Sequence, residues 1–164
     1  MAEVLGFVAS VIAVIQLTES VITASKHFLD NLQDCPHDVR VILVEVSTLK
    51  ALLESLKVLA EADHARTDSS TSLLQQLDGP NGTLEACRKS VSELEKLLPT
   101  TIKKQHGKRR RVVAAAAESL AWPLKQARAQ RLLQEIQQYK MSITVALTSE
   151  SGQVTCATLL VYYL

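Results

Sequence analysis

Apolar side chains recur at every third or fourth position between Val39 and Ala60, and the same spacing returns in two later segments. This spacing places them on one face of an α-helix, and such a face must be buried against another element. The positions are Val39, Ile42, Val46, Leu49, Leu53, Leu56 and Ala60, then Leu84, Cys87, Val91, Leu94 and Leu98, then Ala129, Leu132, Ile136, Tyr139, Ile143 and Ala146. The pattern predicts an all-α, up-and-down bundle of about four to five helices.

Composition agrees with a few long helices in one domain. The chain has 164 residues, of which 47% are apolar, and only 5 glycines and 4 prolines, so the turns that many short strands need are scarce. We predict helices from Ala2 to about Asn31, from Pro36 to about Ala62, a short one ending near Leu77, one from Leu84 to Leu98, and a long last region broken near Pro123. The bundle domain spans residues 1–149, and residues 150–164 form a tail of uncertain structure, in which the apolar and β-branched run from Cys156 to Leu164 favours a strand.

The second helix carries more apolar surface than one neighbour requires. Val41, Val44, Leu52 and Leu59 lie outside its main stripe. We therefore expect this helix to contact more than one other helix.

The first predicted helix is hydrophobic and has no charged residue from Val4 to Thr18. Glu3 precedes the apolar run and no basic residue occurs before Lys26, which is not the pattern of a secretory signal. The run from Val4 to Ile15 is also shorter than the roughly 20 residues of a spanning helix. Small residues recur at four-residue spacing in two sets, which are Ala2, Gly6 and Ser10, and Ala9 and Ala13.

This small-residue spacing allows close helix approach both in lipid and at the crowded centre of a soluble bundle. On the residues alone we favour a buried core helix. The two interpretations are compatible if the helix is buried at rest and released on activation.

The chain shows no pattern typical of an active site. A phosphate-binding glycine loop, a nucleophile with its base and a metal-binding spacing are all missing from the sequence, so we predict no enzyme activity, no metal and no cofactor. Three cysteines without CxxC spacing favour a reducing, cytoplasmic compartment. The histidines are scattered at His27, His37, His64 and His106, and the cysteines are Cys35, Cys87 and Cys156.

One dense basic cluster stands out against a formal net charge of +1. It consists of Lys103, Lys104, Lys108, Arg109, Arg110 and Arg111. Such a run is commonly a solvated loop, and it can also contact anionic lipid headgroups or a partner. Binding of nucleic acid or a nuclear import receptor is a further alternative for this cluster. We favour it least, because no aromatic side chain is interleaved to stack on bases.

Three segments together resemble a known family. They are MAEVLGFVASVIAVIQLTESVITASKHF, CPHDVRVILVEVSTLKALLESL and SLAWPLKQARAQRLLQEIQQYKMSITVAL. In order and spacing they resemble the HeLo-like N-terminal domain of fungal STAND receptors of the NACHT and ankyrin type, which are NLR-like. The resemblance covers residues 1–149.

This resemblance implies an effector of programmed cell death and heterokaryon incompatibility. The family's domain is cytoplasmic at rest; oligomerisation of a downstream NTPase or repeat receptor exposes its first helix, which targets and permeabilises membranes. The implied partners are other copies of the chain, anionic lipids and the downstream receptor domains. The matching positions for the membrane-targeting helix are Val4, Leu5, Gly6, Phe7, Val8, Val11, Ile12, Val14 and Ile15.

Departures from the family keep an alternative open. The sequence carries no NACHT domain, repeat array or amyloid-forming motif, and its last 15 residues match nothing in the family pattern. The alternative is a soluble helical oligomerisation or adaptor module that never contacts lipid.

Overall fold

The computed structural model describes residues 2–31, 37–64, 77, 82–98 and 125–149. Helix α1 spans Ala2–Asn31, α2 spans His37–His64 and α3 spans Thr83–Leu97. The fourth helix, α4, is described over residues 125–149. No strand occurs in these ranges. The predicted all-α bundle with a long apolar first helix is confirmed.

The helix bounds follow local signals that the sequence contains. Asp38 lies in the first turn of α2, where a negative charge is favourable. Gly82 caps the start of α3, and its carbonyl oxygen accepts the Ala86 amide at 3.1 Å. At the other end, Leu98 leaves the helix with an extended backbone, directly before Pro99.

Each helix buries one narrow seam whose positions alternate by three and four residues. In α1 the seam is Phe7, Val11, Val14, Thr18, Val21, Ser25 and Phe28, and in α2 it is the predicted stripe from Val39 to Ala60. The predicted stripes of α3 and α4 are also buried, except that Tyr139 is half-buried. A repeat of 3.5 residues is that of left-handed coiled-coil packing.

Polar contacts order the helices around this core. Helix α1 packs against both α2 and α3. Between α3 and α4, Lys125 Nζ donates to the Leu97 carbonyl at 3.1 Å, and Ser90 Oγ donates to Glu135 at 2.8 Å. Leu97 pairs with Lys125 and Ser90 pairs with Glu135, so a lower residue number on α3 corresponds to a higher residue number on α4. These two helices are therefore antiparallel.

The four additional apolar residues of α2 differ in burial. Val41, Leu52 and Leu59 are half-buried, whereas the side chain of Val44 is 62% exposed. Helix α2 does contact a second neighbour besides α1, because Lys140 of α4 pairs with Glu45 at 2.5 Å. Val44 points away from both neighbours and has no role in the core.

The predicted tail of residues 150–164, and most of the predicted short helix before Leu77, lie outside the described residues. Leu77 itself is helical and buried. Trp122 and Pro123, where the last helical region was expected to break, also lie outside them.

We expect Leu49→Ala to lower the free energy of unfolding by about 2–5 kcal/mol, because Leu49 is fully buried in the α2 seam and its truncation leaves a cavity. The matched control is Val44→Ala on the exposed side of the same helix, with an expected change within about 0.5 kcal/mol. Chemical denaturation measures both, and equal effects would contradict the assignment of the two faces.

Candidate functional site on the first helix

Helix α1 is long and apolar enough to cross a bilayer. The qualifying segment is Gly6–Asp30, whose 25 residues exceed the roughly 20 that a spanning helix needs. In the part of the chain that the structure describes, it alone passes this test of length and composition. The core helix of a soluble protein passes the same test, so the surroundings of α1 must be considered.

The predicted membrane-targeting residues divide between two faces of α1. Phe7, Val11 and Val14 point into the core and are at most 5% exposed. Val8, Ile12 and Ile15 are half-buried, and Gly6 is exposed. The side chains of Val4 and Leu5 lie outside the described residues.

The small residues of α1 lie on its outer side rather than at a crowded helix crossing. Gly6 and Ala9 are exposed, and Ser10 and Ala13 are half-buried. A Cβ added at Gly6 would meet no atom within 4 Å. The expected core helix is therefore correct for one face of α1 only: its seam is buried in the core, whereas 28% of its most apolar segment as a whole is buried.

Hydroxyl side chains on α1 are largely satisfied by the helix itself. Ser10 donates to the Gly6 carbonyl at 3.0 Å, Thr18 to Ile15 at 2.7 Å and Thr23 to Glu19 at 2.8 Å. A hydroxyl bonded to its own backbone needs no water and no second helix, so it lowers the cost of entering an apolar medium.

The buried seam of α1 is less apolar than the seam it faces. It contains Thr18 and Ser25, both fully buried, whereas every member of the α2 seam is aliphatic. Ser25 Oγ has no hydrogen-bond partner among the residues that the structure describes. An unsatisfied buried hydroxyl costs roughly 1–3 kcal/mol, and the other α1 contacts must offset that cost.

Two polar contacts near the middle of α1 connect it to its neighbours. Glu19 forms an ion pair with Lys50 of α2 at 2.9 Å, and the Ser20 hydroxyl donates to the Glu95 carboxylate of α3. The hydrogen bond that Lys50 donates to the Glu19 carboxylate raises the pKa of Lys50. Exposed ion pairs of this kind contribute roughly 0–1 kcal/mol to stability. The Glu19–Lys50 pair therefore affects the orientation of α1 more than the free energy with which α1 packs on the bundle.

A second polar cluster lies in the groove between α3 and α4, which has a volume of about 710 Å³. Ser90 is buried there, with Tyr139 Oη 3.4 Å from its hydroxyl oxygen, in addition to its bond to Glu135. At the rim, the Arg128 guanidinium donates to Glu93 at 2.8 Å and lowers the pKa of that carboxyl. Sequence reasoning missed this cluster, since Ser90 adjoins an apolar stripe and nothing local signals its partners.

The described residues include no group of three or more His, Cys, Asp or Glu side chains that could hold a metal ion. Burial raises the pKa of the Cys87 thiol to about 12, so it stays protonated at neutral pH and is a poor nucleophile or ligand. His27 and His37 are exposed on different helices. The predicted basic cluster, from Lys103 to Arg111, lies outside the described residues together with His106, Cys35 and Cys156.

Comparison with models of known protein families, with curated proteins and with solved structures gave no match for this chain. The HeLo-like resemblance of the sequence remains a prediction.

We expect Ser25→Ala to raise the free energy of unfolding by about 1 kcal/mol, because it removes a buried hydroxyl that has no partner. The matched control is Ser90→Ala, where the lost hydroxyl donates to Glu135, and there we expect a loss of similar size. Urea denaturation at neutral pH measures both. A Ser25→Ala variant no more stable than the unmodified chain would show that this hydroxyl is satisfied in solution.

Proposed function

We propose that this chain is a membrane-targeting effector domain of the cell-death type, whose first helix packs on the bundle at rest and enters a bilayer when the bundle opens. The observation that carries the proposal is α1 itself, a helix of spanning length whose residues from Val4 to Thr18 carry no charge and expose small residues at Gly6 and Ala9. The resemblance of the sequence to HeLo-like domains supports the same function.

Release of α1 is compatible with its contacts in the bundle. Its seam carries two hydroxyl residues, one of them unsatisfied, and its polar contacts to α2 and α3 are concentrated at Glu19 and Ser20. Helices α2, α3 and α4 retain apolar seams of their own that can close on one another after α1 leaves. A two-state helix of this kind is a known device for switching.

Insertion of α1 is compatible with its composition. Its residues from Val4 to Thr18 are uncharged, and the hydroxyls of Ser10, Thr18 and Thr23 are already bonded to its own backbone. The 25 residues of Gly6–Asp30 form about 37 Å of helix, compared with about 30 Å of hydrocarbon. The basic cluster from Lys103 to Arg111 supplies positive charge that would favour anionic membranes.

The second candidate is a soluble oligomerisation or adaptor module. The exposed Gly6 and Ala9 favour it to some degree, because a small-residue face also suits contact with another helix. In that case the intact protein does not sediment with vesicles under any condition. Membrane binding and vesicle leakage therefore discriminate between the two functions.

We expect Gln16→Glu to reduce dye release from anionic vesicles by about tenfold or more, because it places a charge within the uncharged run from Val4 to Thr18, and an inserted charge costs roughly 2–3 kcal/mol. Gln16 is exposed in the bundle, so the isosteric change leaves the fold intact. The matched control is Gln137→Glu, an exposed position on α4, with unchanged release expected.

Leakage is measured at equal lipid and protein concentrations, after circular dichroism shows equal folding of the two variants. Equal leakage from both variants, or none from the unmodified protein even at acidic pH or on forced clustering, would refute the membrane proposal.

A further inference from the structure

Helix α2 has a second stripe on its exposed side, with the same alternation of three and four residues as its buried seam. All six members are exposed, and two of them, Val44 and Val58, are 62% and 65% exposed. The stripe is Val44, Thr48, Ala51, Ser55, Val58 and Ala62. It contains no charged residue over about 27 Å of helix.

The polar groups on this stripe need no outside partner. Thr48 Oγ1 donates to the Val44 carbonyl at 2.9 Å, and Ser55 Oγ donates to the Ala51 carbonyl at 3.1 Å. A dry contact over the stripe therefore leaves neither hydroxyl unsatisfied. The stripe can be covered by another apolar helix face without loss of a hydrogen bond.

We propose that this stripe is the contact face of an antiparallel homodimer, with α2 of one copy packed on α2 of a second copy about a two-fold axis at Ala51. Val44 and Val58 each lie seven residues from Ala51, so this axis places Val44 against Val58 of the second copy. Alanine at the centre allows the helix axes to approach closely. An isologous contact of this kind is self-complementary and closed.

Charges beside the stripe are arranged for the antiparallel orientation. Arg40 and Glu61 are both exposed and lie on the same flank at opposite ends of the stripe. In an antiparallel pair like flanks meet, so Arg40 of each copy lies beside Glu61 of the other. The opposite flank carries the half-buried Val41, Leu52 and Leu59, which extend the apolar contact.

A parallel pair would instead bring each charged flank against the aliphatic flank of the other copy, which desolvates Arg40 and Glu61 and offers neither a charged partner in that copy. Within its own helix, Glu61 forms an ion pair with Lys57 at 3.7 Å. An anionic membrane is also a poor occupant. Glu54 and Glu61 line the stripe and are more than half exposed, and the lysines with which they pair, Lys50 and Lys57, are less exposed, so carboxylates face an acidic surface there. A second copy covers the apolar stripe and also pairs the charges at its edge.

One helix face per copy is a small interface, so association is weak and requires high protein concentration. The inference does not depend on membrane insertion, because it concerns α2 rather than α1. Failure of the vesicle experiment therefore leaves it unaffected, and its own failure leaves the vesicle experiment unaffected.

The test is cysteine cross-linking of the full chain in a Cys35→Ser, Cys156→Ser background, with the buried Cys87 retained. Ala51→Cys should form a covalent dimer under mild oxidation at least about tenfold faster than Ala127→Cys, an exposed alanine on α4. Val44→Cys alone should not cross-link faster than that control. A mixture of the Val44→Cys and Val58→Cys chains should form the mixed dimer.

Sedimentation equilibrium of the chain with its natural cysteines supplies the second measurement. Ala51→Glu should weaken dimerisation at least about tenfold, since it places two like charges opposite each other, and Ala127→Glu should leave it unchanged. A monomer at all accessible concentrations, or rapid cross-linking of Val44→Cys alone, would overturn the proposal. So would an Ala51→Glu variant that loses vesicle binding but keeps its association constant, because lipid would then be the occupant.

Discussion

The structure depends on one continuous line of aliphatic contacts along α2. Six of its seven members, from Val39 to Leu56, have no exposed surface, and Ala60 is 1% exposed. Full burial of each larger member contributes roughly 1.5–3 kcal/mol. Helix α2 also forms the Lys50 and Glu45 ion pairs to α1 and α4, and α1 in turn packs against α3.

Helix α1 packs on the α2 seam through a seam of its own that is less apolar. Thr18 and Ser25 occupy positions where α2 has aliphatic residues, and the Ser25 hydroxyl is buried without a partner. Outside the seam, α1 presents small uncharged residues in its first turns. The helix with the greatest capacity to enter a bilayer is thus one whose seam includes an unsatisfied polar group. This coincidence is the physical basis for the proposed switch.

Much of the fold follows from the spacing of apolar residues. The stripes in α2, α3 and α4 predicted both the helices and their buried faces, because a helix with a single apolar face has few other ways to exclude water. Breakers such as Pro99 located the helix ends to within about two residues. The first helix was likewise predicted over its observed range, from Ala2 to Asn31.

The sequence predicted less of the candidate site. Spacing shows that Gly6 and Ser10 share a face, but not whether that face has a partner, and the structure places it on the outside. Val44 is the same residue type as the core member Val46 and differs from it only in its angular position on α2. The pairing of Ser90 with Glu135 joins residues 45 positions apart, which no local pattern encodes.

The most direct measurement of the central claim is native-state hydrogen exchange of the intact protein, resolved by residue. If α1 is the releasable helix, amides between Val11 and Val21 exchange through an opening that costs about 2 kcal/mol less than the opening that exposes Val46 to Leu56 of α2. Anionic vesicles should shift that opening without accelerating exchange in α2. If both helices exchange at a single common free energy, α1 leaves only when the whole bundle unfolds, and the account is contradicted.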